Sequence, residues 1–292
     1  MKRIVTGIAA IAVFTALAAG QTYEGYVDVL TCNVKPDKRS DFDTVVKKMA
    51  AANRRYKGDT FLTSQVEYGD QHTVTFSSGR ENYAAIEKGM AAFEGAMKEA
   101  YGPATSSQLE KDFNACLISS HAEIRKRRAD LSINLPKDIS ALWKSIGESR
   151  WVRTSAFHIR PGRLEEFEAE MKAVKEGVEK GNPEGPTVLV SQAVAGSRGG
   201  VFYVTGFRKS LADFDKAPPP LKQLLGQEGY QQYRKGTAED VQFVEGSLSR
   251  LLPELSNPTK EIADASVEFW TPKPAAMNKP KAKPAAGAKT GD

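Results

Sequence analysis

Two stretches of this chain repeat one another, and that duplication constrains the fold most, because each copy must build the same supersecondary unit. Tyr26 to Phe42 superposes on Trp151 to Phe167 without a gap, at an offset of 125 residues. An aromatic meets an aromatic at the start, Lys35-Pro36 meets Arg160-Pro161, and Phe42 meets Phe167. Further on, Arg80 and Ile86 meet Arg208 and Phe214 at an offset of 128, and Leu131-Ser132 meets Leu255-Ser256.

Each copy reads as β-α-β-β-α-β, a ferredoxin-like order. In the first, Tyr26 to Val34 is a β-branched and aromatic run that ends at Pro36. Asp37 is placed to cap a helix carrying Phe42, Val45, Val46, Met49 and Tyr56, with Gly58 as its stop. Thr60 to Tyr68 and Thr73 to Ser77 flank Gly69-Asp70 as a hairpin. A second helix runs through Tyr83, Met90, Phe93, Met97 and Tyr101, and Phe113 to Ile124 reads as the last strand. The second copy repeats this with strand Val152 to Ile159, a helix bearing Leu164, Phe167, Met171, Val174 and Val178, and a hairpin from Thr187 to Phe207. Its second helix must break at Pro218-Pro219-Pro220, since proline removes backbone donors and clashes with the preceding turn. The expected pieces are Leu211 to Lys216 and Leu221 to Arg234. The modules span residues 21–132 and 151–256, joined by a helical linker over 133–150 and followed by an extension over 257–270.

The segment Phe157-His-Ile-Arg-Pro-Gly-Arg-Leu-Glu-Glu-Phe167 combines a strand, a Pro-Gly corner and an acidic helix with an inward Phe. It resembles the opening of dimeric α+β barrel proteins of the antibiotic-biosynthesis monooxygenase and NIPSNAP types. The resemblance implies an α+β fold in which two ferredoxin-like modules form a pseudo-dimeric barrel within one chain, so that the protein can be monomeric. It also implies a range of chemistries: cofactor-independent oxygenation, haem binding, isomerisation, or none. Haem-binding members present a histidine from a helix, whereas His72, His121 and His158 all fall outside the second helices. No residue pattern calls for a metal or a cofactor.

The two ends set the compartment. Lys2 and Arg3 precede an apolar run from Ile4 to Ala18, with small residues before Gln21, so residues 1–20 read as an export signal, cleaved or kept as an anchor. No later segment is apolar enough to span a membrane, and the protein is expected in the periplasm or outside the cell. Residues 271–292 repeat Lys, Pro and Ala and carry a net charge of +4. Such a tail is expected to stay disordered and to solubilise the protein or touch anionic surface polymers. With the tail and the two signal cations removed from the formal +5, the folded part carries −1, so the basic balance does not argue for nucleic acid.

Several residues are candidates for a site. Asn33 and His158 occupy matched positions at the ends of the two first strands, on the face opposite Leu30, Cys32 and Val34. They orient a ligand there, or they satisfy strand-end backbone groups. Arg80 and Arg208 follow the third strand in both copies and bind a ligand oxygen, or pair with helix-start carboxylates such as Glu81 and Asp213. Cys32 and Cys116 lie on neighbouring strands and form a disulfide or remain buried thiols. The basic run Arg125 to Arg128 reads as a solvated face. The expected activity is that of a small-molecule scaffold taking a planar apolar or quinone-like ligand between sheet and helices. The alternatives are a non-catalytic envelope interaction protein and a monooxygenase-like enzyme.

Overall fold

A computed structural model describes residues 23–216 and 219–271. The export signal and nearly all of the basic tail lie outside the described residues.

The chain alternates strands and helices because apolar period-two runs are followed by amphipathic period-3.6 runs. The first half contains β1 (Tyr26–Val34), α1 (Arg39–Arg55), β2 (Leu62–Tyr68), β3 (Thr73–Arg80), α2 (Tyr83–Ala115) and β4 (Leu117–Arg127). A connecting helix α3 (Ile139–Glu148) leads to β5 (Trp151–Ile159), α4 (Leu164–Gly181), β6 (Leu189–Ala195), β7 (Gly200–Arg208), α5 (Leu221–Asp240) and β8 (Val241–Leu251). Two short helices follow, α6 (Lys260–Asp264) and α7 (Val267–Trp270).

All eight strands belong to one closed barrel, in the order β1-β3-β2-β8-β5-β7-β6-β4, and every neighbouring pair is antiparallel. The seams between the halves are β2 on β8, from Ser64 opposite Leu251, and β4 on β6, from Arg127 opposite Ser191. Helices cover the outside. Cys32, Val34 and Val74 pack beneath Phe42 and Val46 of α1, while Ile159, Val190 and Phe202 pack beneath Phe167 and Met171 of α4. These layers are filled with side chains, so the space expected between sheet and helices is core.

Three local expectations are corrected. Phe113 belongs to α2, and the last strand of the first half begins at Leu117 and continues to Arg127. The helix lasts longer because Gly102 absorbs a break within it, at φ 73° and ψ 161°, a conformation essentially reserved for glycine. Pro103 then starts the next turn, where its missing donor does least harm. Asp37 sits in a short 3-10 turn, and α1 starts behind Lys38 without a side-chain cap. In the second half, the first helical piece is a 3-10 turn that ends at Phe214, short of Lys216, and α5 runs past Arg234 to Asp240. Of the two alternatives for Cys32 and Cys116, the structure has the buried thiols: both are free.

Candidate functional site

The inner barrel wall is built from the alternate residues that the helices do not cover. β1 contributes Val27, Val29 and Thr31, β3 contributes Thr75, Ser77 and Gly79, β5 contributes Val152, Thr154 and Ala156, and β8 contributes Ser247, Ser249 and Leu251. An eight-stranded barrel is just wide enough for ordinary side chains to fill it. Here most inward residues are short, and a cavity of about 640 Å³ remains. Leu142, Trp143 and Ile146 of α3 and Ile262 of α6 form an apolar floor, beside Leu62 and Phe207. Trp270 helps hold this plug, its indole N–H donating to the Gly147 carbonyl at 2.8 Å.

One ionic cluster stands in the wall, assembled from both halves of the chain. Tyr203 of β7 donates its hydroxyl proton to Glu123 of β4, lying 2.8 Å from both carboxylate oxygens. Arg125 donates Nε to the same carboxylate at 2.8 Å, with Nη2 at 2.6 Å. Its guanidinium also lies over the Tyr203 ring, 3.4 Å from the centroid. The strand between them makes this possible: Ala193 of β6 stands opposite Arg125, and Ser191 opposite Tyr203, so short side chains leave room for the stack.

Glu123 is only 6% exposed. Burial opposes its ionisation, but Arg125, the Tyr203 hydroxyl and His121 outweigh that and hold the carboxyl below its usual range. Burial pushes the Tyr203 phenol well above its ordinary value, and the neighbouring carboxylate adds to this despite Arg125. The hydroxyl therefore keeps its proton and donates it to Glu123.

Arg127 follows two residues along β4 and faces the same lumen. Its Nε and Nη2 donate to the carbonyls of Tyr26 and Arg80, each at 3.2 Å. Among the described residues no carboxylate lies within ion-pair distance of it. Burial lowers its pKa, although Glu24 and Glu81 act against this from a distance. The absent side chain of Gly79 leaves room beside it, since a Cβ there would stand 3.4 Å from Nη2. The basic run is thus not a solvated face. Arg125 and Arg127 point inward, Lys126 is exposed, and Arg128 is clamped by Glu168 at 2.6 Å and Asp130 at 2.7 Å.

The residues singled out by sequence distribute differently. Asn33 and His158 lie on the lumen side by alternation, but at the rim above the cavity, and neither lines it. His158 Nε2 meets Glu245 at 3.0 Å, and its ring stacks on Phe243 with centroids 4.0 Å apart. Arg80 borders the cavity, but its guanidinium is committed to Asp59 through two 2.6 Å bonds and to Asp28 at 3.4 Å. It fits beneath α2 because Gly89 has no side chain, and a Cβ there would come within 2.5 Å of Nη1. Those partners are neither Glu81 nor a ligand. Arg208 donates Nη1 to the Phe207 carbonyl at 2.7 Å, lies over Phe214, and does not line the cavity. Burial pushes the Cys32 thiol up to about 12, which leaves it unreactive, and Cys116 donates to the Asp112 carbonyl at 3.2 Å. Among the described residues no group of three or more His, Cys, Asp or Glu is placed to hold a metal ion.

Sequence reasoning missed Glu123, Arg125, Arg127 and Tyr203. The signal was present in the alternation of His121, Glu123, Arg125 and Arg127, and it becomes legible once the strand extends to Arg127.

No family model and no curated protein matches this chain. Solved structures do. An anthrone oxidase-like protein is 12% identical, with a TM-score of 0.50 over 80% of this chain and 93% of that one. A provisionally assigned monooxygenase from Fusobacterium nucleatum subsp. nucleatum is 10% identical, with a TM-score of 0.48 over 78% of this chain and 92% of its own. A ferredoxin-fold protein of Listeria monocytogenes, described as related to antibiotic-biosynthesis monooxygenases, is 10% identical with a TM-score of 0.35, covering 79% and 96%. The chain shares its fold with the anthrone oxidase-like protein. At such identities the likeness extends to fold alone.

Proposed function

We propose that this chain is an exported small-molecule-binding protein whose ligand enters the barrel lumen, and that its two halves are a duplicated module joined as a pseudo-dimer. The observation that carries the binding reading is the lumen itself: about 640 Å³ of unfilled space beside the buried Tyr203–Glu123–Arg125 cluster. A scaffold used only for surface contacts has no need of an unfilled interior. Short polar residues around an apolar floor suit a planar, quinone-like molecule with polar oxygens at its edge. Asn33 and the His158–Glu245 pair stand at the rim, where they would meet a ligand on entry.

Matched cross-contacts support the duplication. Ser132 Oγ accepts from the Val190 N–H at 2.9 Å and donates to the Arg128 carbonyl at 2.8 Å. Ser256 Oγ accepts from the Thr63 N–H at 2.8 Å and donates to the Leu252 carbonyl at 2.7 Å. Each serine closes its own chain end onto the second strand of the other half. Gly102 and Gly226 break the second helices with the same backbone conformation.

The test is a titration of the protein lacking residues 1–20 with menadione, read by tryptophan quenching and melting temperature. Saturable quenching with a rise in melting temperature is expected, because Trp143 forms part of the floor. Thr205→Phe fills part of the lumen without adding a fluorescent indole and is expected to abolish both effects. A folded Thr205→Phe protein that still binds menadione as the parent does would sink the lumen reading. Sequencing the N-terminus of the protein recovered from outside the cytoplasm checks export, with Gln21 the expected first residue.

A further inference from the structure

We infer that the lumen selects an organic anion, an aromatic or apolar carboxylate or enolate, and that Arg127 holds its charged end. The inference rests on the lumen-binding reading above and names the chemical class of the ligand. Along the wall of β4 there are two guanidinium groups and one carboxylate. Glu123 is satisfied by Arg125 and Tyr203, which leaves Arg127 as an excess cation against the cavity.

The geometry of the donors agrees. Arg125 uses Nε and Nη2 on Glu123, and Arg127 uses Nε and Nη2 on two backbone carbonyls. Nη1 of each has no hydrogen-bond partner among the described residues. Arg125 reaches toward Tyr203 of β7 and Arg127 toward Tyr26 and Arg80 of β1 and β3, on opposite sides of β4, so Arg127 is the donor left to receive a carboxylate. A half-buried guanidinium facing an unfilled cavity gains most from an anion that replaces the water it has lost.

The other charged groups around the lumen do not already supply that anion. Glu24 and Glu81 are exposed at the floor end and lie outside ion-pair distance of Arg127. Asp70 is exposed on a hairpin, and Glu245 at the rim is engaged by His158. Across the barrel from β4 stands β8 with its neighbours β2 and β5, which present Leu251, Leu62 and Val152. An anion held by Arg127 therefore directs the rest of its molecule at the apolar floor end of that wall.

The two halves give independent support. The position that matches Arg127 in the second half is Leu251, while Glu123 and Arg125 match Ser247 and Ser249. The two guanidinium groups that β4 turns to the lumen have no counterpart on β8. The barrel thus carries one oriented anion site and not two equivalent ones.

The test compares 2-naphthoate with its neutral isostere 2-naphthamide, following tryptophan quenching, on the protein lacking residues 1–20. Naphthoate is expected to bind at least ten-fold more tightly than the amide, and added salt should erode that preference. Arg127→Leu, which copies the other half, is expected to remove the preference by weakening naphthoate binding far more than amide binding. If that variant does not fold, Arg127→Gln retains a donor without the charge and should give the same loss. Equal binding of both probes, or a preference that survives loss of the Arg127 charge, overturns the anion assignment while leaving lumen binding intact. Menadione binding with no binding of either naphthalene probe also overturns it. Failure of all three ligands removes the lumen reading itself.

Discussion

At the scale of single residues, buried charge in this barrel divides into groups that are compensated and groups that are not. Arg80 meets Asp59 through two bonds, and Arg128 is held by Glu168 and Asp130, so each has partners in place. Glu170 differs. It lies on α4 against Gly236 of α5, where a Cβ would overlap its carboxylate. Burial and the neighbouring Asp240 raise its pKa to about 7, only partly relieved by Arg163. The folded state thus binds this proton more tightly than the unfolded chain, whose carboxyl titrates near 4.5. The resulting contribution to stability is complete below that lower value and is lost as pH rises through about 7. Glu170→Gln should therefore melt higher than the parent at pH 8 and match it at pH 4.5. Screening of a part-exposed side chain keeps the gain to roughly 2–4 °C at pH 8. Thermal melts of both proteins across that pH range are the check, and a pH-independent difference would remove Glu170 from the argument.

At the scale of elements, much was legible in the sequence because local patterns dictated it. The proline at the end of each first strand, the Phe of each first helix and the Gly-rich hairpins each place an element without reference to tertiary structure. The end of the first half was obscured for a physical reason. Phe113 and the β-branched residues after it look like one strand, but Phe113 packs on Phe42 and Phe76 as the last turn of α2. That misplaced boundary concealed the site, since a strand ending at Ile124 leaves Arg125 and Arg127 in a loop. The direction in which Tyr203 points was also inaccessible, because it depends on Ala193 and Ser191 of a neighbouring strand and on barrel closure. The closure rests partly on the two serines. Ser256 is fully buried, and replacing it with alanine leaves the Thr63 N–H without an acceptor. Ser256→Ala and Ser132→Ala should each cost about 1–3 kcal/mol, the penalty for a buried unsatisfied donor. Urea unfolding at fixed pH measures this, and a loss in only one variant would show that the two seams are not equivalent in strength.

At the scale of the whole molecule, the halves depend on one another in ways that a single module cannot satisfy. Residues 21–132 alone would carry a four-stranded sheet, β4-β1-β3-β2, with both outer strands unpaired and the lumen face bare. Glu123 would keep Arg125 but lose the Tyr203 hydroxyl. Pairing two first halves closes a barrel in principle, but Thr75 then stands where the second half has Tyr203, and two Glu123–Arg125 pairs face one lumen. The Ser247 and Ser249 wall that accommodates a single charged strand would be absent. The fragments 21–132 and 133–271, expressed separately, should therefore show no cooperative melt as monomers. Mixed together, they should form a one-to-one complex in preference to either homodimer. Light scattering with circular dichroism distinguishes these species. A first-half fragment that is monomeric and melts cooperatively would mean that the inner wall is stable in water, and the lumen would then be an accident of joining two independent domains. A mixed complex that binds menadione, where neither fragment does, would place the site across the junction, where Tyr203 of one half reaches Glu123 of the other.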